Sequence, residues 1–274
     1  MRTVRLTYSK LRNAGDMMNI DIMEKLGHCR VSYARIFRAD MTAIGGALVG
    51  LQLSENHAKR LCQQVLGILF GKRPLYIWGS GFFHDRSSEP LFRSELRVCA
   101  LRGALTRDKL EKLTGKSYDV PLADAGLLID ALFEPAAEKK YSVGLIPHMH
   151  HRQEGSFLRM AEREGVHLID ITDTPQNAAY EISLCETVAS SSLHGLVFAD
   201  ALHIPNIHVL GEAELRGGNF KFEDYYSSYG LADSAVRLSE HFPTRDEIVS
   251  AYRIPTEAVE EKKKALYASF PHLR

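Results

Sequence analysis

The alternation of apolar and polar positions divides the chain into repeating pairs of short strand and longer helix. Residues 4–8 alternate as a strand does and run into Asn13-Ala14-Gly15-Asp16, after which residues 19–26 carry helical spacing with Gly27 as the stop. Asp40-Met41-Thr42-Ala43-Ile44 leads to Gly45-Gly46, where missing side chains let backbone approach a ligand or a neighbouring loop. The unit recurs. Residues 57–70 read as a helix, 74–78 as a strand and Gly79-Ser80-Gly81 as a small-residue loop, followed by a strand at 97–101 and a helix at 104–113. Strands alternating with helices predict a parallel, doubly wound sheet, whose ligand crevice lies beyond the carboxyl ends of the strands.

The pattern breaks at Phe133-Glu134-Pro135-Ala136-Ala137-Glu138-Lys139-Lys140, which is polar and holds a helix breaker, and this stretch reads as an interdomain linker. A second alternating set follows, with strands at 141–146, 166–171 and 206–210 and helices at 155–163 and 176–185. Between them, residues 187–189 read as a short buried strand, and an apolar helix begins at Gly195. Residues 244–252 and 256–270 read as two closing helices. The expected fold class is α/β, with two doubly wound Rossmann-like domains, 1–135 and 141–274, facing across a cleft in a GT-B-like arrangement.

Composition narrows the function. With 274 residues, 45% hydrophobic and 25% charged, the chain has material for a real core. Its 34 basic and 34 acidic residues cancel, which argues against a nucleic-acid binder that relies on bulk charge. Cys29, Cys62, Cys99 and Cys185 are scattered without metal-like spacing, as in a reducing compartment. The N-terminus has no apolar signal core and no stretch approaches the roughly 18 apolar residues of a membrane span, so a cytoplasmic protein is expected. The charged run Glu260-Glu261-Lys262-Lys263-Lys264 reads first as a solvated helix face and second as a surface for anionic lipid at the inner face of a membrane.

The strand-to-helix turn Ser190-Ser191-Ser192-Leu193-His194-Gly195 is the central candidate. Unpaired first-turn N–H groups, the positive end of a helix dipole, three hydroxyls and an imidazole make an anion trap, although serines at such a place also serve as ordinary caps. Asn13, Gly15 and Asp16 place an amide and a carboxylate at the mouth of the first strand, where they suit sugar hydroxyls or a plain turn. Arg102 suits bidentate grip of a carboxylate or phosphate, or a salt bridge at the sheet edge, and Asp124 sits at another strand-loop junction where capping is the plainer role. In Pro147-His148-Met149-His150-His151 the third ligand and supporting partners of a metal site are missing, so no metal is expected and His148 reads as a neutral donor to an anion. Lys221, in Phe220-Lys221-Phe222-Glu223-Asp224-Tyr225-Tyr226 after the loop Leu215-Arg216-Gly217-Gly218, suits closure over a phosphate.

Taken in order, Asn13-x-Gly15-Asp16, Gly45-Gly46, Arg102, Asp124, Gly144-Leu145-Ile146-Pro147-His148, the serine-histidine block and the lysine-tyrosine block resemble the polysaccharide pyruvyl transferase family. They look most like its bacterial exopolysaccharide and capsule branch, and the resemblance spans residues 1–230. It implies transfer of a pyruvyl group from phosphoenolpyruvate to two hydroxyls of one sugar residue of a glycan or lipid-linked oligosaccharide, forming a cyclic ketal and releasing phosphate. No cofactor is called for. Arg102, His148, Ser191, Ser192, Leu193, His194, Gly195 and Lys221 then serve the donor; Asn13, Gly45, Gly46 and Asp124 serve the acceptor. Asp16 is assigned the base, and His194 phosphate binding or acid chemistry. Two positions depart from the family pattern, Ala47 where a third glycine is frequent and Ser192-Leu193 where many members carry an arginine. The competing readings are a nucleotide-sugar glycosyltransferase of GT-B design and a non-catalytic polysaccharide-assembly subunit. Donor on one domain and acceptor on the other also imply interdomain closure.

Overall fold

The computed structural model describes residues 1–85, 88–215 and 217–272. The first half supplies strands β1 (Thr3–Leu6), β2 (Arg30–Tyr33), β3 (Met41–Thr42), β4 (Leu75–Ser80) and β5 (Leu96–Leu101), with helices α1 (Ala14–Gly27), α2 (His57–Phe70) and α3 (Ala104–Thr114). The second supplies β6 (Tyr141–Ile146), β7 (Val166–Leu168), β8 (Cys185–Ser190), β9 (Asn206–Leu210) and β10 (Val236–Arg237). Its helices are α4 (Gly155–Ala161), α5 (Pro175–Ser183), α6 (Leu193–Ala201), α7 (Phe220–Ser227), α8 (Arg245–Ala251) and α9 (Thr256–Ala268). A 3-10 segment, Ala125–Ala131, precedes the join.

Both sheets are parallel and have the same strand order. The first reads β2-β1-β3-β4-β5 and the second β7-β6-β8-β9-β10, so in each the chain winds one way from its first strand and then returns to wind the other way from its third. This fixes a switch point between β1 and β3, where Leu6 is in register with Met41, and another between β6 and β8, where Ile146 is in register with Ser190. Crevices open at such points because successive connections leave on opposite faces of the sheet. Fold class is therefore as the residue pattern predicts, an α/β protein with two doubly wound sheets.

The elements follow from local chemistry. Asn13 caps α1 by accepting the Gly15 N–H at 3.1 Å, so the helix starts at Ala14 rather than residue 19, and Gly15 and Asp16 lie in its first turn. β2 was not legible as a strand, since its residues are at best half buried along a sheet edge. The strand expected at 166–171 ends at Leu168, and Cys185 opens β8 instead of closing α5. Lys221 stands in the first turn of α7.

One apolar cluster spans the two lobes: Ala14, Met18 and Ile22 of α1 meet Leu127 and Leu128, Ile182 of α5, and Leu193, Leu196 and Val197 of α6. The Ala14 N–H also donates to the Ile171 carbonyl at 2.7 Å. Helix α9 adds a second tie, accepting the Trp78 Nε1–H on the Leu266 carbonyl at 3.0 Å and sending Lys263 Nζ to Asp130 at 2.7 Å and the Ala201 carbonyl at 2.8 Å. Wide hinge opening would expose this shared core to water, so the lobes form a cleft that is closed on one side.

Candidate active site

The two switch points face one cavity of about 620 Å³. Asn13, Asp16, Gly45, Gly46 and Arg102 line it from the first sheet, and His148, Ser192, Leu193, His194 and Lys221 from the second. Residues far apart in the chain thus converge because the loops and helix starts that follow parallel strands lie at the same end of each sheet, with Asn13, Asp16, Gly45, His148 and Ser192 beside the switch points and Arg102 and Lys221 further out.

His194, in the first turn of α6, reaches the other lobe. Its Nδ1 lies 3.3 Å from Asn13 Oδ1, the oxygen that already accepts the Gly15 N–H. That cap fixes which end of the Asn13 amide faces the ring, so the imidazole must carry its proton on Nδ1 and leave Nε2 as a lone pair. Nε2 is buried and has no partner among the described residues. Burial, reinforced by the charges of Lys221 and Arg102, pushes this histidine down to about 3 and holds it neutral.

Asp16 and Lys221 are tuned against one another. Burial raises the Asp16 carboxyl to about 7, although the Lys221 charge and a hydrogen bond from Ser9 pull it down. Burial lowers the Lys221 ammonium to about 8, with Arg102 adding to the effect and Asp16 opposing it. Lys221 forms no ion pair among the described residues. Gly45 makes room for the carboxylate: a Cβ there would stand 2.9 Å from Asp16 Oδ1, and its φ of +94° already favours glycine. Gly46 packs as tightly against the backbone of Phe83, whereas Ala47 has φ −67° and ψ −18°, a conformation that accepts a side chain.

The serines divide their work. Ser190 Oγ donates within the turn to the Ser192 carbonyl at 2.8 Å and accepts the Ser192 N–H at 3.0 Å, and Gly195 packs against it. Ser191 Oγ accepts the His148 N–H at 2.8 Å and meets His151 Nδ1 at 2.9 Å. Ser190, Ser191 and Gly195 are therefore placed to shape the turn, and Ser192, Leu193 and His194 are the members that reach the cavity. Ser192 makes no side-chain cap to α6, leaving its first-turn N–H groups uncapped. His148 lies on the wall and is pushed down to about 3 by burial, then by Lys221, His151 and His150.

Arg102 is on the cavity wall but firmly anchored. Its Nε donates to Asp224 Oδ2 at 2.8 Å and another guanidinium nitrogen to the Phe82 carbonyl at 2.6 Å. Asp224 in turn accepts the Thr106 N–H and hydroxyl, both at 2.7 Å, in the first turn of α3. The ion pair is 1% and 0% exposed, so it is a buried tie from the end of the edge strand β5 to α7, and the Thr106 bonds bring α3 into it. Asp124 stands behind the cavity wall and caps the 3-10 segment through the Gly126 N–H at 2.8 Å. Asp124 is fully buried and is not among the residues that line the cavity. Arg216 lies outside the described residues. His151 Nε2 meets the Ala213 carbonyl at 2.9 Å, and among the described residues no three of His, Cys, Asp and Glu are placed to share a metal.

Several wall residues escaped the sequence reading. Tyr8, Tyr33, Arg35, Phe37, Phe83 and Met149 also line the cavity. Tyr8 and Tyr33 meet edge to face at 5.5 Å, with Lys10 Nζ 3.9 Å above the Tyr33 ring.

The fold and site define a two-lobed α/β protein with paired switch points closing on one cation-lined cleft. Residues 19–211 match the family model described as polysaccharide pyruvyl transferase, and the chain belongs to that family. It is 32% identical over 136 residues to the uncharacterized protein L143 of Acanthamoeba polyphaga mimivirus, covering 48% of this chain and 47% of that protein. It is 23% identical over 154 residues to the succinoglycan biosynthesis protein ExoV of Rhizobium meliloti (strain 1021), covering 56% and 47%. The matched region thus spans about half the length of these curated relatives. Among solved structures, the spinosyn rhamnosyltransferase SpnG aligns with a TM-score of 0.39 at 11% identity over 97% of this chain and 93% of its own. The E. coli ADP-heptose lipopolysaccharide heptosyltransferase II aligns at 0.35 and 11% over 98% and 99%. Scores at that level add nothing to the strand orders given above.

Proposed function

We propose that the protein transfers the pyruvyl group of phosphoenolpyruvate to two hydroxyls of a sugar in a bacterial polysaccharide or its lipid-linked repeat unit. The reaction forms a cyclic ketal and releases phosphate. The observation that carries this reading is the convergence of the Lys221 and Arg102 cations, the neutral His148 and the uncapped start of α6 with Asp16 and His194 on one cavity. A donor bearing a carboxylate and a phosphate needs clustered cations and free N–H groups, and ketal formation needs an acid and a base in the same space.

The chemistry asks for a proton on the methylene carbon, cleavage of the bond between C2 and the bridging phosphate oxygen, and two new C2–O bonds. Two hydroxyl protons are released; one balances the proton taken up by carbon and the other leaves on phosphate. The hydrogen-bond pattern favours the converse of the roles first assigned. Asp16, raised to about 7, holds a proton near neutrality and supplies it to the methylene carbon, while the lone pair on His194 Nε2 takes a hydroxyl proton. Lys221, Arg102 and the first-turn N–H groups of α6 neutralise the departing phosphate, and the Tyr8–Tyr33 edge gives a sugar ring an aromatic wall.

The test is mass spectrometry of candidate lipid-linked glycans incubated with phosphoenolpyruvate and the protein, with phosphate measured in parallel. A pyruvyl increment matched by phosphate release is expected. Thermal protection by a nucleotide sugar but not by phosphoenolpyruvate would overturn the reading in favour of glycosyl transfer.

A further inference from the structure

Helix α2 is mounted with its apolar side outward. None of its residues is buried, and Leu61, Val65, Ile68 and Leu69, at helical spacing on one face, are 57%, 48%, 79% and 65% exposed. The side turned to the body is the polar and small one. Arg60 pairs with Glu89 at 2.5 Å, Gln63 bonds the Gln52 carbonyl at 3.2 Å, and Gly67 packs so closely on the Phe92 carbonyl that an added Cβ would stand 2.5 Å from its oxygen. A surface helix of a soluble fold is ordinarily built the other way round, with its apolar stripe on the core.

Charge names the occupant of this face. Residues 57–73 hold Lys59, Arg60, Lys72 and Arg73 and no Asp or Glu. At the carboxyl end, the guanidinium groups of Arg38 and Arg73 sit 5.1 Å and 5.9 Å from the Phe70 ring centroid. An apolar stripe on a helical segment that carries cations and no carboxylate of its own matches an anionic bilayer surface, where the aliphatic side chains enter the acyl boundary and the lysines stay among headgroups. The face is also continuous with the cleft, because Phe70 lies 5.8 Å from Phe37, which lines the cavity.

We infer that α2 docks the protein on an anionic membrane with the cavity beside the lipid headgroups, which goes beyond the reaction proposed above and does not depend on it. Cys62, the exposed one of the four free cysteines, lies on this helix and offers a site for an environment-sensitive fluorophore. The full chain is sedimented with vesicles of phosphatidylcholine alone or mixed equally with phosphatidylglycerol. Binding to the anionic vesicles is expected, with a blue shift of the Cys62 label. Ile68→Ser with Leu69→Ser should weaken it on the order of tenfold or more. Lys59→Glu with Lys72→Glu should weaken it by about fivefold for each cation lost. These positions are exposed, so melting temperatures should stay close to the parent's. Failure to bind anionic vesicles, or undiminished binding by the Ile68/Leu69 variant, overturns the proposal. So does a solution dimer that this variant dissolves, since a second copy would then cover the face.

Discussion

The ring of His194 fills the space in which any residue but glycine at position 15 would carry its Cβ: a carbon added there would stand 2.0 Å from both Cγ and Nδ1. Gly15 opens a helix of one lobe and His194 a helix of the other. The contact gives Asn13-x-Gly15-Asp16 a physical meaning as a unit. Asn13 holds the imidazole, Gly15 cradles it, and Asp16 adds a carboxyl to the same wall of the cavity.

Gly15→Ala separates local from interlobe effects. In the first turn of a helix, alanine alone would stabilise by up to about 1 kcal/mol. Here the clash with the ring must displace His194, and we expect a net loss of about 1–3 kcal/mol, as for overpacked cores, measured by urea denaturation. Pyruvyl transfer should fall on the order of a hundredfold, as for misplacement of a reacting group. Equal activity of the variant and parent would show that the cradle does not position the histidine.

The pH dependence follows from opposed shifts. Asp16 must hold its proton and Lys221 its charge, so kcat/KM should fall as pH rises through about 7 to 8, the range to which burial brings both groups. In Asp16→Asn the proton donor is gone, and the rate should drop on the order of a hundredfold or more. A rate that keeps rising past this window would remove Asp16 from the acid role.

The buried pair of Arg102 and Asp224 gives a stability prediction. Asp224→Ala strands a guanidinium that is 1% exposed and frees the Thr106 donors, so a loss of about 3–5 kcal/mol is expected in chemical denaturation. Reduced affinity for phosphoenolpyruvate should accompany it through movement of Arg102 on the cavity wall. A change within experimental error in both would show that the pair ties nothing down.

Ser191→Ala removes the acceptor of the His148 N–H and the partner of His151 Nδ1. A loss of about 1–3 kcal/mol is expected, because the two groups are left buried without it. KM for phosphoenolpyruvate should rise more than kcat falls, since the His148 loop lines the cavity but makes no assigned proton transfer. An unchanged KM would make the serine a structural tie only.

Much of this site was legible in the sequence because switch-point loops announce themselves. A buried apolar run followed by small and polar residues and then a helix marks both Ser190 to Gly195 and Asn13 to Asp16. What pairs across the cleft was not legible. Arg102 and Asp224 are 122 positions apart, and no local pattern says that Asp224 will anchor the guanidinium which the sequence offers to substrate. Ser191 reads like its neighbours, yet its hydroxyl is spent on two histidines, and Tyr33 reached the cavity on a half-exposed strand too polar to stand out.

Asn13 Oδ1 performs two tasks at once, ending a helix in one lobe and setting the tautomer of an imidazole in the other. The protonation state of His194 is therefore written by tertiary assembly. Before the lobes meet, that ring is an ordinary solvated histidine titrating near 6.5; once they meet, it is driven to about 3. Its NMR titration would thus report docking of the two halves along the refolding pathway.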